Sequence, residues 1–348
     1  MARRFVSGSA VSGESNAPIT PTTGRPSPGA GVTAEVSLAC VSTCTAASLA
    51  WAEPLAGTAA TARTWLLIEQ PGPWGAKALL QSRLDPEVGA TLSAAADGSA
   101  GVRVALIRRP GRTTGGRRAF LAHTAPGNAW IRVLADTDPA RLTGLDFARL
   151  AEGHHDGIGE PHDGAPLVLV CTNGTRDRCC ALLGRPLAAE VAGAGGADVW
   201  EITHLGGHRF SPTLLTLPHG YAYGRMTSVG VKNVVAALTR GRVALDGCRG
   251  RSTWDRPGQA AELAVRALIG EEGADALTEV TASRAQDAGG GDAGGEGAAW
   301  TATVSHADGR RWSVTLADEP AGAAAPASCG AAPAPAARLT TRAVERLP

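Results

Sequence analysis

The sequence contains no uninterrupted apolar run of the roughly 18 residues that a membrane-spanning helix needs. Its first 24 residues, MARRFVSGSAVSGESNAPITPTTG, carry charges but lack the apolar segment of a secretion signal. Lysine is nearly absent, since Lys77 and Lys232 are the only two, and the formal net charge is +1. The charge balance offers no broad basic surface for nucleic acid. We therefore expect a soluble, cytoplasmic protein that binds neither nucleic acid nor a membrane.

The seven cysteines are an odd number, and two of them are adjacent in the sequence. This pattern does not suit a secreted disulfide framework and favours metal-binding or redox thiols in a reducing compartment. No Walker motif and no recognisable nucleophile–base–acid set is present. The sequence therefore does not indicate a complete enzyme active site, and an electron-transfer protein is the more natural expectation.

The length of 348 residues is enough for about two domains at roughly 150 residues each. Residues 1–34 are rich in Ser, Thr, Pro and Gly and are predicted to form a disordered tail. Residues 35–160 are predicted to form a smaller α/β region, because short apolar runs alternate with helical segments. Its strands are predicted at Trp65–Glu69, Val102–Ile107 and Ala129–Leu134, with a helix over 77–82.

Residues 161–270 are predicted to form the second and main α/β domain. The order of elements is β-α-β followed by β-β-α, which is typical of a thioredoxin-like sheet. The predicted elements are strands over 166–170, 198–203, 213–217 and 221–223, and helices over 186–191, 229–238 and 257–268. Residues 271–348 are predicted to form a short β extension, with strands over 276–282, 299–304 and 312–316 and a loose Ala/Pro-rich tail over 319–337.

Two cysteines and two histidines stand close together in the main domain. Cys171 and Cys180 bracket the segment CTNGTRDRCC, and His204 and His208 bracket HLGGH. Each pair follows a predicted strand, and loops held by a sheet are where rigid folds place metal ligands. Two thiols and two imidazoles are a complete ligand set for a transition metal or a small iron–sulfur cluster.

The spacing of the two pairs favours a cluster over a zinc finger. The cysteines are separated by eight residues, whereas zinc fingers usually place two to four between them. Gly206 and Gly207 break any helix that would bring the two imidazoles together. They suit a loop that lies close to a bulky inorganic centre and points backbone N–H groups at it. A structural zinc site, holding two loops together, nevertheless stays open as an alternative.

Several segments resemble the sucrase/ferredoxin-like family. They are CTNGTRDRCC, GRPLA, VWEITHLGGHRFSPTLLTLP and GYAYGR, together with the upstream EPLAGTAATARTWLLIEQPGPWG and the segment Ala327-Ser-Cys-Gly330, so that the resemblance extends from about residue 40 to about residue 330. It implies an α/β fold with a thioredoxin-like ferredoxin domain in the second half. It also implies a two-iron, two-sulfur (2Fe-2S) cluster whose ligands are Cys171, Cys180, His204 and His208.

The implied ligand set has consequences for the charge of the centre. With two thiolates and two neutral imidazoles, the oxidised cluster is neutral, whereas four thiolates make it a dianion. We therefore expect a higher reduction potential than in four-cysteine ferredoxins, as in Rieske centres. The second nitrogen of each imidazole can lose its proton, so the potential should fall as pH rises. The implied function is a one-electron, proton-coupled carrier or a redox sensor, with unidentified donor and acceptor proteins.

Other residues near the motifs have less certain roles. The spacing in the family favours Cys180 as the ligand, and Cys179 is the substitute ligand should Cys180 not bind. We expect Gly206, Gly207 and Arg209 to surround the ligands without binding the metal. A thiol–disulfide oxidoreductase on a thioredoxin-like fold is a second alternative. The absence of C-x-x-C weakens it, and it leaves the histidine pair unexplained.

The remaining cysteines are not assigned to the centre by the sequence. Cys40 and Cys44 have helical spacing but no third partner, so we expect them to be buried thiols of a helix. Cys248 is expected to be buried in the same way. Cys329 belongs to the family-like segment Ser-Cys-Gly, and the sequence offers no physical role for it.

Overall fold

The structure is a computed structural model that describes residues 43–111, 117–284, 299–320, 324–335 and 337–348. The predicted tail over 1–34 and Cys40 lie outside these residues. The described chain has the mixed α/β fold that the sequence predicts. It is built on one large sheet and two small ones. None of its helices among the described residues has the length and apolar character to traverse a bilayer.

The helices are α1 (Cys44–Ala50), α2 (Pro86–Gly98), α3 (Phe147–Glu152), α4 (Arg185–Ala194), α5 (Ser228–Leu238) and α6 (Arg256–Ile269), with 3-10 turns at Pro139–Gly144 and His208–Phe210 and a π-helical turn at Cys180–Gly184. The strands of the first half are β1 (Thr64–Glu69), β2 (Val102–Arg108), β3 (Ala119–His123), β4 (Trp130–Leu134) and β5 (Glu160–Pro161). Those of the second half are β6 (Leu167–Cys171), β7 (Asp198–Ile202), β8 (Leu214–Leu217), β9 (Tyr221–Tyr223) and β10 (Cys248–Arg251). The C-terminal strands are β11 (Leu277–Arg284), β12 (Ala299–His306), β13 (Arg311–Pro320), β14 (Ala325–Pro326), β15 (Pro333–Ala334) and β16 (Ala337–Arg346).

Helix starts follow the capping chemistry of the sequence. The Asp85 carboxylate accepts hydrogen bonds from the backbone N–H groups of Glu87 and Val88, and Pro86 occupies the first helical turn of α2. Both features favour a helix start, since the side chain satisfies free N–H groups and proline needs none. The helix predicted over 77–82 is wrong, because that segment forms turns and α2 begins only at this Asp-Pro pair.

The second half of the large sheet has the predicted thioredoxin-like order. Its strands lie in the order β10-β9-β8-β6-β7, in which β9-β8-β6-β7 is the thioredoxin-like part. Strands β6 and β7 are parallel and connected through α4, whereas β8 is antiparallel to β6 and β9 is antiparallel to β8. The parallel pair places the carboxyl ends of β6 and β7 at the same edge of the sheet, and the segments that carry the Cys and His motifs start there.

The first half repeats this topology. Its strands lie in the order β2-β1-β3-β4, with β1 and β2 parallel, β3 antiparallel to β1 and β4 antiparallel to β3. The two halves join edge to edge through β2 and β7, which pair antiparallel at Ile107–Ile202 and Arg108–Glu201. The ten-stranded sheet therefore contains two units of the same strand order and direction, with β10 and β5 at its outer edges. The domain boundary near residue 160 stays a prediction.

The core is shared between the halves. One cluster of buried side chains takes Trp65 and Phe120 from the first half and Leu169, Cys171 and Trp200 from the second. Such continuous burial stabilises both halves together, because each large side chain contributes about 1.5–3 kcal/mol when it leaves water.

The C-terminal region forms a second layer against α6. A four-stranded sheet in the order β11-β12-β13-β16 packs its apolar face on that helix. The tail predicted to be loose over 319–337 is ordered in part, since β13 reaches Pro320 and β14 pairs with β15. The Ala/Pro composition of this segment hid β14 and β15, which form a separate two-stranded sheet with each other.

Candidate metal centre

Three of the four predicted ligands meet at the carboxyl edge of the parallel strands. Cys171 is the last residue of β6, Cys180 begins the π-helical turn and His204 follows β7. Their ligand atoms all lie within 4.8 Å of one another. Cys171 is 1% exposed and Cys180 is 0% exposed, so both sulfurs are closed to water. Gly184 allows this approach, because a Cβ there would overlap the Cys171 carbonyl oxygen.

The two thiols share their protons unequally. The Cys180 thiol donates a hydrogen bond to Cys171 and lowers its pKa. His204 and the Leu205 backbone N–H also lower the pKa, whereas burial opposes the shift. The pKa of Cys180 is raised by the same hydrogen bond, by burial and by the negative charge of Cys171. Two buried sulfurs cannot both ionise in this way without a compensating cation. The pair is therefore suited to bind a positively charged centre.

The loop between the two histidines depends on its glycines and on Arg249. Gly206 and Gly207 have φ values of +82° and +69°, which side-chain-bearing residues rarely adopt. The Arg249 guanidinium donates to the Gly206 carbonyl oxygen over 3.1 Å and to the Thr58 hydroxyl over 3.0 Å. Burial and the nearby Arg209 together lower the pKa of Arg249 to about 10. Arg249 therefore stays charged at neutral pH and holds the histidine loop through its hydrogen bond to Gly206.

His208 lies beside His204 but outside the close group of three. The two ring centroids are 5.3 Å apart. Nε2 of His208 is 2.6 Å from the Ala327 carbonyl oxygen, and a carbonyl can only accept, so Nε2 carries the proton in the neutral ring. Burial lowers the pKa of His208 although Asp177 opposes the shift. His208 is therefore held as a neutral imidazole with its other nitrogen, Nδ1, unprotonated.

Both histidines present an unused nitrogen. Nδ1 of His204 and Nδ1 of His208 are buried and have no hydrogen-bond partner among the described residues. A buried polar atom without a partner costs about 1–3 kcal/mol, so native proteins normally pair it or bind something to it. Metal-bound histidines typically donate their second N–H to a carbonyl or a carboxylate, as His208 does to Ala327. The residues present therefore fit a metal or cluster held by two thiolates and two imidazoles.

Arg209, predicted to lie near the ligands, points to another partner. Its guanidinium donates to Glu53 over 2.7 Å and lies over the Phe210 ring. Arg249 instead contacts the histidine loop, a contact that the sequence did not predict. A buried arginine in the strand Cys-Arg-Gly-Arg carries no local pattern that reveals its contact with a loop more than 40 residues away.

A second group of possible ligands lies next to the first. It contains Cys44, Asp177, Cys179 and Cys329, whose ligand atoms also lie within 4.8 Å of one another. Cys44 is a buried thiol of helix α1, as expected, but the expectation that it has no partner is wrong, because its sulfur contacts those of Cys179 and Cys329. Asp177 was not predicted as a ligand. Its one local signal is its position two residues before Cys179, whose N–H it accepts in an Asx turn.

Adjacent in sequence, Cys179 and Cys180 belong to different groups in space. Cys180 joins Cys171 and His204, whereas Cys179 joins Cys44, Asp177 and Cys329. The separation results from the turn at this point, where consecutive side chains project in different directions. Cys248 is buried, as expected, in a core cluster that contains no other cysteine among the described residues.

The chain matches a known protein family. A family model described as sucrase/ferredoxin-like matches residues 55–250, which include all four residues Cys171, Cys180, His204 and His208. No curated protein and no solved structure matches the chain. The match covers more than half of the 348 residues. The chain therefore belongs to the sucrase/ferredoxin-like family.

Proposed function

We propose that the protein binds one 2Fe-2S cluster through Cys171, Cys180, His204 and His208 and acts as a one-electron carrier or redox sensor. The observation that carries this proposal is the pair of buried, unpartnered Nδ1 atoms on adjacent histidines beside two fully buried thiols. When bound, such a cluster supplies one-electron transfer at a potential set by its ligands and surroundings.

Hydrogen bonds within the protein orient the two imidazoles without a bound metal. The Ala327 carbonyl accepts the Nε2 proton of His208 and leaves Nδ1 free to act as a ligand. The same role for Nδ1 of His204 is supported by its burial without a partner. Arg249 and the positive-φ glycines hold both rings on one short loop. Pre-organisation of this kind lowers the entropy that binding would otherwise cost.

The two ends of the ligand set differ in exposure. The thiols are fully buried, whereas His204 is half-buried and the His208 side chain is 14% exposed. Electron transfer needs a short path to the partner, so the donor and acceptor proteins are expected to approach the histidine side. Residues of this edge that are exposed, such as Ala327, would then contact the partner.

The first experiment is to purify the protein without oxygen and to measure iron, acid-labile sulfide, zinc, visible absorption and the EPR spectrum on one sample. We expect a coloured protein with two irons and two sulfides per chain and a reduced EPR signal of the Rieske type. The Cys171→Ser variant should lose the cluster, and Cys248→Ala, a buried cysteine outside the site, should keep it.

Replacing one imidazole tests the ligand assignment more finely. His208→Cys adds a thiolate, so the cluster should remain while its reduction potential falls and depends less on pH. A colourless wild-type protein that carries zinc at these residues, and does not accept iron and sulfide on reconstitution, would establish a structural zinc site and refute the proposal. A potential in His208→Cys equal to that of the wild type would show that His208 is not a ligand.

A further inference from the structure

Three cysteine thiols from distant parts of the chain meet at one point beside the proposed cluster. The sulfurs of Cys44 and Cys179 are 3.5 Å apart, those of Cys44 and Cys329 are 3.6 Å apart, and those of Cys179 and Cys329 are 3.1 Å apart. Cys44 and Cys179 are each 1% exposed, and Cys329 is half-buried. Helix α1, the loop before Cys180 and the turn between β14 and β15 each supply one thiol.

A buried carboxylate completes this group. Both oxygens of Asp177 lie 3.8 Å from the Cys44 sulfur. Their orientation is fixed, because Oδ1 accepts the Cys179 N–H over 2.8 Å and Oδ2 accepts the Cys329 N–H over 2.9 Å. A carboxylate has about four acceptor positions, so each oxygen retains one for a further partner. Asp177 is 4% exposed, and Nε2 of His208 lies 3.6 Å from its Oδ2; no arginine or lysine pairs with it among the described residues.

The distances fit one ion held between four ligands. A tetrahedral zinc ion at about 2.3 Å from each thiolate sets the sulfurs about 3.8 Å apart. The separations of 3.5 and 3.6 Å from the Cys44 sulfur lie close to that value, and the 3.1 Å between Cys179 and Cys329 is about 0.7 Å shorter. A cluster with several irons would hold some of its thiolates further apart than a single ion does. Three mutually close thiols also cannot all be satisfied by one disulfide, which joins only two.

The chemistry of the group requires positive charge. Three sulfurs within 3.6 Å of one another, with a buried carboxylate 3.8 Å from one of them, would repel one another as thiolates. A divalent cation removes this repulsion and replaces the thiol protons. Three sulfur ligands with one carboxylate oxygen are donors that zinc accepts, whereas magnesium and calcium prefer oxygen alone.

We propose that Cys44, Asp177, Cys179 and Cys329 bind a single zinc ion in a site separate from the proposed cluster. The site holds helix α1 and the segment around Cys329 against the loop that leads to Cys180. It thereby also places the Ala327 carbonyl, two residues before Cys329, against Nε2 of His208. The zinc ion is structural, since all four ligand positions are filled by the protein.

Metal analysis of the full-length protein tests the proposal, with zinc and iron measured on the same samples after gel filtration in EDTA. We expect about one zinc per chain in the wild type. Cys329→Ser and Cys44→Ser should lose that zinc, and Cys171→Ser should lose iron while it keeps zinc. X-ray absorption at the zinc edge should show three sulfurs at about 2.3 Å and one oxygen at about 2.0 Å.

The outcomes separate this proposal from the proposed function. Zinc that persists in Cys329→Ser and Cys44→Ser but is lost in Cys171→Ser would overturn the second site. Absence of zinc from wild-type protein supplied with it, or a Cys179–Cys329 disulfide found by mass spectrometry in anaerobically purified protein, would overturn it as well. Two zinc ions and no iron, each lost with its own set of variants, would support this site and refute the cluster.

If Cys44→Ser or Cys329→Ser does not fold, the wild-type protein gives the answer by itself. Cobalt exchanged for zinc should produce the intense thiolate-to-metal absorption bands and the visible bands of a tetrahedral site. An octahedral spectrum without thiolate bands would overturn the assignment.

Discussion

Gly207→Ala places a new Cβ against a fixed, buried charge. The added atom would lie 2.6 Å from Cζ of Arg249 and would overlap its terminal nitrogen. Arg249 is 1% exposed and hydrogen-bonds to Thr58 and to the Gly206 carbonyl, so its guanidinium has nowhere to move without losing those bonds. The same substitution at Gly206 meets no atom within 4 Å. The two neighbouring glycines therefore form a matched pair.

The structure gives a magnitude for each variant. Both glycines have φ in the left-handed region, where an alanine costs about 1–2 kcal/mol. Gly206→Ala should therefore lower the free energy of unfolding by about 1–2 kcal/mol. Gly207→Ala must also displace Arg249, and each hydrogen bond lost to a charged group costs about 1.5–3 kcal/mol. Its total loss should be about 3–5 kcal/mol.

Urea unfolding followed by circular dichroism at constant pH measures both losses, and iron content measured on the same preparations reports whether the histidine loop still holds its ligands. We expect Gly207→Ala to lose both stability and iron and Gly206→Ala to lose little iron. Equal losses of stability in the two variants would refute the reasoning, since only the contact with Arg249 distinguishes them.

Two further predictions concern buried polar groups outside the site. Burial lowers the pKa of His123 to about 4, with Arg63 and Arg251 adding to the effect, so its neutral form is favoured in the folded protein. An unfolded histidine takes up a proton below about pH 6.5, whereas folded His123 does so only near pH 4. The free energy of unfolding should therefore fall between about pH 6.5 and pH 4, by about 3 kcal/mol at most, and should not change through His123 above pH 6.5. The difference in unfolding free energy between wild type and His123→Gln should change over that pH range, and a constant difference would contradict the assignment. Tyr221→Phe removes the hydroxyl that donates to the buried Glu262 over 2.6 Å and should cost about 1–3 kcal/mol in urea unfolding. Tyr223→Phe should cost less, because the Tyr223 hydroxyl has no side-chain hydrogen-bond partner among the described residues. Equal costs would show that the Glu262 contact contributes nothing.

Much of the fold follows from local patterns in the sequence. The strands that deliver Cys171 and His204 are short apolar runs, and their order with α4 and the β8–β9 hairpin predicts the thioredoxin-like unit. The motifs CTNGTRDRCC and HLGGH likewise identify the residues proposed to hold the cluster. These features are local, because periodicity and spacing act over a few residues.

The sequence did not predict strands whose composition is ambiguous or whose pairing strand lies far away in the chain. Strand β3 was not predicted, although its residues are apolar, because the first half offered no motif that requires a fourth strand. The repeat of one topology in both halves is equally hidden, since the two units share strand directions rather than residues. Strand β16 pairs with β13 only because the sheet on α6 provides an edge for it.

Residue types and spacing indicate which cysteines and histidines have metal-binding chemistry and which strands precede the first pair of motifs. The division of these residues into two groups follows from the packing of distant segments. This packing separates the adjacent Cys179 and Cys180, and it brings Cys44 and Cys329, 285 residues apart, to one carboxylate. The physical reason is that ligand distances of a few ångströms are set by packing between remote segments, on which sequence spacing places no constraint.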